Sequence, residues 1–295
     1  MEQKHAYLII AHNQIELLKC LLSALDDKHN DIYLHLDKKM QAVDQQELFA
    51  QVCAGQLFLL PHRMDVKWGD DSQIECELSL LREATKKEYA YYHLLSGVDF
   101  PLTSQKEIHQ YFAKHTGTEY VQFESPEIDD QVKNRVSKYH LLVKKKAGKS
   151  LPYRLFYRIS MLLQLPVDRT RSTGIVFQKG ANWFSITDSL ARYILSQEAL
   201  IRKQFRFTLC ADEMFLQTLV YNSPFRDRIA SNNYCDNYEN ILYCIDWQRG
   251  NPYEFTESDY DYLIHSGMFF ARKFNWEKDK RIVLKLLEYI RSKES

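Results

Sequence analysis

Short, uninterrupted apolar runs alternate with segments whose apolar residues recur every three or four positions, and this alternation restricts the fold more than any other feature. Ala6-Tyr7-Leu8-Ile9-Ile10 is the first run, and Ile15, Leu17, Leu18, Leu21 and Leu22 follow at helical spacing. A strand covered on both faces has no polar side to show. A continuous run feeding an amphipathic helix, with Asn13 placed to cap it, therefore predicts a parallel-sheet unit. The pattern continues with strands at 31–37, 57–60, 92–95 and 120–123, and helices at 47–53, 72–87 and 108–115. Such alternation predicts an α/β fold, a mostly parallel sheet flanked by helices.

Ligands of these sheets sit beyond the carboxyl ends of the strands. His12, Asp37, the 64–71 turn with Trp68, and Ser96-Gly97-Val98-Asp99 fall at such ends, where a nucleotide would bind. Fold by itself does not fix chemistry.

Lys+Arg and Asp+Glu both total 39, so no global field draws the chain to nucleic acid, and no nucleic-acid partner is expected. The opening apolar run is too short for a signal segment or a membrane span, and no later run approaches ~18 apolar residues. The six cysteines form no C-x-x-C pair, which fits a reduced, cytoplasmic setting. The length fits one domain, with 1–125 as a nucleotide-binding half and 126–295 as an acceptor and catalytic half.

The sharpest shift in composition lies at 131–167, which has no acidic residue but contains Lys133, Arg135, Lys138, Lys144, Lys145, Lys146, Lys149, Arg154 and Arg158. Two readings stand: peripheral contact with an anionic membrane at its inner face, or a solvated basic face balanced by acids elsewhere. Beyond it the pattern predicts strands at 183–186 and 242–245, helices at 190–195 and 213–220, and a basic C-terminal helix.

Asp212-Glu213 opens the 213–220 helix. Acids there complement the helix dipole, and a carboxylate at a helix mouth can also take a proton from an incoming hydroxyl. Arg272-Lys273 sets two adjacent cations in an aromatic stretch, where they require an anion, either a structural carboxylate or a diphosphate. Trp68 and Trp247 lie near strand ends, where an aromatic face packs in the core or serves as a platform for a sugar or base. Asp259-Tyr260-Asp261 is the only D-x-D match. It falls in what reads as a first helical turn, where Asp is ordinary, so no metal site is assigned to it.

Taken in order, Ser96-Gly97-Val98-Asp99-Phe100-Pro101, Gly180-Ala181-Asn182-Trp183-Phe184, Asp212-Glu213-Met214-Phe215-Leu216-Gln217-Thr218 and Phe270-Ala271-Arg272-Lys273-Phe274 resemble the core-2/I-branching β-1,6-N-acetylglucosaminyltransferase and peptide O-xylosyltransferase family. The resemblance spans most of the chain. It implies a GT-A-like nucleotide-sugar-binding fold, a UDP-sugar donor, inversion at the anomeric carbon, and no metal or other cofactor. Carried over by motif, Glu213 is the base, Arg272 and Lys273 clamp the diphosphate, Asp37 is the acid near the uridine, and Trp247 is an acceptor-side aromatic. The chain has neither the signal-anchor nor the paired luminal cysteines of animal members and so resembles a bacterial cytoplasmic version. An extra Arg of the core-2 branch has only Arg249 as a loose counterpart.

The reaction expected is transfer of GlcNAc or xylose from a UDP-sugar to a hydroxyl of a glycan or lipid-linked acceptor, with His12, Asp37, Trp68, Asp99, Arg272 and Lys273 on the donor and Asp212 and Trp247 on the acceptor. Two alternatives accompany it, a metal-dependent transferase using Asp259 and Asp261, and a carbohydrate-binding protein without catalysis.

Overall fold

A computed structural model describes residues 4–41, 43–141, 151–171, 173–234 and 238–294. Its first part runs β1 (His5–Ala11), α1 (Ile15–Ala24), β2 (Asn30–Leu36), α2 (Gln45–Phe49), β3 (Gln56–Leu59), α3 (Ser72–Ala84), β4 (Tyr91–Ser96), β5 (Phe100–Pro101) and α4 (Gln105–Lys114). Then come α5 (Asp130–Ser137), α6 (Leu151–Leu163), β6 (Ser185–Thr187), α7 (Asp188–Ser196), α8 (Glu198–Phe205), a 3-10 turn at Ala211–Glu213, and α9 (Phe215–Tyr221). The chain closes with β7 (Tyr243–Ile245), α10 (Tyr260–Ile264), β8 (Phe270–Arg272) and α11 (Trp276–Glu294).

The main sheet has the order β3-β2-β1-β4-β6, parallel except for β6. Successive residues of β1 enter opposite cores. Tyr7 and Ile9 pack with Leu17, Leu21 and Ile282, while Ala6 and Leu8 pack with Leu78, Ile194 and Leu216. Helices thus cover both faces, which is why the strand shows no polar alternation. A small sheet, β5-β8-β7, stands beside the main one.

Three local expectations differ from what forms. Gln14, in a left-handed conformation, precedes α1 instead of Asn13, and its side chain accepts from the Trp276 amide at 2.6 Å, so a contact with α11 replaces the local cap. Residues 120–123 do not make a strand, because only isolated bridges form there, Tyr120 to Ser185 and Glu119 to Ile229. Asp212 and Glu213 lie on the 3-10 turn before α9, not in its first helical turn. Cys20, Cys53, Cys76, Cys210 and Cys244 are free thiols, and Cys235 lies outside the described residues.

Buried His5 and His93 and half-buried His109 cluster at one end of the sheet. His93 Nε2 lies 3.0 Å from His5 Nδ1, its Nδ1 lies 2.7 Å from the Ser185 hydroxyl, and the His109 ring centres 4.1 Å from that of His5. Burial lowers His93 to about 3, with the charge of His109 adding to the effect. Unfolded, the same group titrates near 6.5. Its stabilising contribution is complete above about pH 6.5 and is lost as pH falls toward about 3, because the unfolded chain then binds more protons. Buried Glu119, raised to about 7, has the opposite sign, so the comparison must isolate His93. From about pH 6 to about pH 4, urea-unfolding stability of the native chain should fall more steeply than that of His93→Gln, by up to about 1.4 kcal/mol per pH unit. Parallel slopes would show that His93 accepts its proton without cost to the fold.

Candidate functional site

A cleft of about 1590 Å³ opens beyond the carboxyl ends of β1, β2 and β4. There β1 continues to β2 on one side while β4 lies on the other, the place where open α/β sheets bind ligands. His12, Asp37, Trp68, Asp212, Glu213, Trp247, Arg272 and Lys273 all line it, drawn from positions far apart in the chain.

At the β2 end, Asp37 is fully buried, and its carboxylate accepts from the Lys39 amide at 2.7 Å and the Val66 amide at 2.9 Å. It thereby ties the 64–68 segment to the strand end. Trp68 beyond it is 85% exposed at the cleft. His12 is exposed at the cleft, and its imidazole is lowered from its ordinary value chiefly by desolvation, against the opposing pull of Asp37.

Asp99 departs from the expected donor contact. It is fully buried and does not line the cleft; one oxygen accepts from Arg272 Nη1 at 2.7 Å, and the other from the Ser96 amide at 2.7 Å. Burial raises this carboxyl, and Arg272 pulls it back. Its place in the site is behind the cation, which it holds. The guanidinium also lies 4.6 Å from the centre of the Trp183 ring, and its Nε has no partner among the described residues. Lys273 Nζ is 3.4 Å from Glu254. Both cations therefore have structural carboxylates and still face the cleft.

Also lining the cleft, Glu213 Oε2 accepts from Arg135 Nη1 at 2.9 Å, and Lys179 Nζ lies 4.0 Å away. The turn carrying Glu213 is fixed through its backbone. The Gly180 amide donates to the Glu213 carbonyl at 2.9 Å, and the Cys210 amide donates to the Gly69 carbonyl at 2.9 Å. Gly180 is required here, since a Cβ would stand 1.8 Å from the Gln122 carbonyl oxygen. Asp212 is pushed up to about 7 by burial, with the charge of Glu213 adding to the shift, and its Oδ1 has no partner among the described residues.

Arg135, Lys179 and Trp183 were not assigned roles from sequence. Arg135 sits within the acid-free 131–167 stretch and Lys179 directly precedes the Gly180–Phe184 motif, but their convergence on Glu213 is a property of the fold. Asp259 is engaged elsewhere: Oδ1 accepts from Arg249 at 2.7 Å and Oδ2 caps Thr256 at 2.9 Å, while Asp261 is exposed. Neither lines the cleft, and no group of three or more His, Cys, Asp or Glu among the described residues is placed to hold a metal ion. Arg249 is likewise outside the cleft, bound to Asp246 and Asp259.

The sequence model of the core-2/I-branching enzyme family matches residues 5–265. The chain is 24% identical to xylosyltransferase 2 of Rattus norvegicus and of Homo sapiens over 302 positions, covering 96% of this chain and 33% of each relative. It is 23% identical to xylosyltransferase 1 of Canis lupus familiaris over 303 positions, 97% of this chain and 30% of that protein. The chain thus spans about a third of the length of these relatives. A crystal structure of mouse xyloside xylosyltransferase 1 in its apo form aligns over 90% of this chain and 96% of its own with a TM-score of 0.38 and 12% identity, and at that overlap it says nothing about fold or site. With the family model matched across most of its length, the chain belongs to the core-2/I-branching enzyme family, a family of glycosyltransferases.

Proposed function

We propose that this chain transfers a sugar, GlcNAc or xylose, from a UDP-sugar to a glycan or lipid-linked hydroxyl by a single inverting displacement. The observation that carries this reading is that one cleft at the strand ends is lined by the carboxylate of Glu213 together with the cations of Arg272 and Lys273. The names of the xylosyltransferase relatives favour xylose as the first donor to try. The setting proposed is cytoplasmic.

In the step proposed, the acceptor hydroxyl oxygen attacks the anomeric carbon as the bond from that carbon to the diphosphate oxygen breaks. The hydroxyl proton passes to Glu213, and UDP leaves with the bond's electron pair. Arg272 and Lys273 meet the charge that develops on the leaving diphosphate, a task preorganised cations perform without reorganising at the moment of reaction. On this reading no metal is needed to supply that charge. Asp99 acts as a positioning residue through Arg272, and Arg135 holds Glu213 until a hydroxyl approaches Oε1, which has no partner among the described residues.

Glu213→Gln should retain UDP binding and reduce single-turnover transfer by about 10² to 10⁴, the usual contribution of a positioned base. Transfer within a few-fold of the native rate would remove Glu213 from that role. Asp212→Asn serves as the control and should lose less.

Arg272→Ala and Lys273→Ala should each weaken UDP binding as well as turnover, by roughly 1.5 to 3 kcal/mol for a lost charge-assisted hydrogen bond. Calorimetric titration of UDP into the double variant is the check. An affinity equal to the native one would show that the diphosphate does not sit between these cations.

A further inference from the structure

We propose that α6 is an interfacial helix that lies on an anionic lipid surface. Leu151, Leu155, Phe156, Ile159, Leu162 and Leu163 are all exposed, from 46% for Ile159 to 78% for Leu151. At about 100° per residue they occupy one continuous arc of roughly 140°, and Arg154 and Arg158, also exposed, flank its edge. The opposite side of the helix is turned to the protein. Tyr157 bonds His140 at 3.1 Å, and the Gln164 side chain just past the helix end accepts from the Tyr139 amide at 2.6 Å.

An apolar arc of this width exposed to water calls for an occupant. A second copy of the chain fits poorly, because a two-fold contact through this face would set Arg154 and Arg158 near their own copies, with no acidic residue anywhere in 131–167 to pair with them. An anionic bilayer satisfies both features at once, taking the apolar arc into its acyl boundary and the arginines at its headgroups. At about 20 Å the helix is too short to cross a hydrocarbon core of about 30 Å, so it lies in the interface. His140 and Tyr157 also line the cleft, so a helix lying on lipid would bring the cleft close to the surface where a lipid-linked acceptor resides. That last consequence rests on the transfer reading, whereas the surface contact does not.

The test is co-sedimentation of the full chain with phosphatidylcholine vesicles and with vesicles of equal parts phosphatidylcholine and phosphatidylglycerol. The chain should pellet with the mixed vesicles and be released by salt. Arg154→Gln/Arg158→Gln should lower the partition by about fivefold for each arginine removed. Leu155→Ser/Leu162→Ser should lower it by at least about tenfold. Because all four side chains are exposed, the thermal midpoints of both variants should match the native one and thereby exclude misfolding. Equal pelleting with both vesicle types, or unchanged pelleting of the leucine variant, would overturn the proposal. So would a drop in the vesicle-free sedimentation mass of the leucine variant, which would assign the face to a second copy. Vesicle binding is read without donor or acceptor, so its failure is separate from any failure of the transfer reading.

Discussion

The buried pair between Asp99 and Arg272 is the interaction on which the site depends. One carboxylate closes the turn after β4 through the Ser96 amide, lies 3.3 Å from the Tyr243 hydroxyl of β7, and binds the last residue of β8. The small sheet is joined to the end of the main sheet at this point. A carboxylate with no exposed surface is costly unless its charge is met, and a guanidinium on an apolar strand is costly for the same reason. Each therefore makes the other tenable. The result is a cation fixed on strand backbone, backed by Trp183 and facing the cleft.

The part of the cleft that carries Glu213 is held by backbone geometry as well as by charge. Gly180 permits two chain segments to approach more closely than any Cβ allows, and its amide fixes the Glu213 turn. Gln217 donates to the Ala181 carbonyl at 2.6 Å, so α9 grips the same loop from behind. The Asp212-Glu213-to-Thr218 motif and the Gly180–Phe184 motif are therefore one structural unit, although 27 residues separate them in the chain. This explains why only their joint occurrence carried information in the sequence.

The parts of the fold legible in the sequence were those set by local periodicity. The β1 to β4 units followed from continuous apolar runs, and with them the strand ends where His12, Asp37 and Trp68 meet the cleft. Elements that depend on distant partners were not legible. Residues 120–123 have strand-like composition but lack a neighbouring strand over their length, and Gln14 displaced Asn13 because α11 offered it a partner 262 residues away. Asp99 lies at the expected strand end but behind the cleft, and nothing in its own loop shows that Arg272 arrives from β8 to bind it. Arg135 and Glu213 are 78 residues apart, a pairing no spacing rule could reveal.

The neighbouring carboxyls Asp212 and Glu213 show how environment rather than residue type separates two acids. Both line the cleft, but Asp212 also lies in the field of Glu77, itself buried and raised well above its ordinary value by burial, with the charge of Asp212 contributing. Burial and like charge both disfavour ionisation there, which is why Asp212 is pushed to about 7. Glu213, one residue on, reaches the cleft and has two cations beside it. The proposed base must be reachable by an acceptor hydroxyl, and of the pair it is Glu213 whose carboxylate is bound by Arg135 at 2.9 Å and is partly exposed at the cleft. The same cations orient its carboxylate. On the proposed transfer reading, an acceptor hydroxyl entering at Oε1 would meet a group already aimed, in the same cleft that Arg272 and Lys273 line.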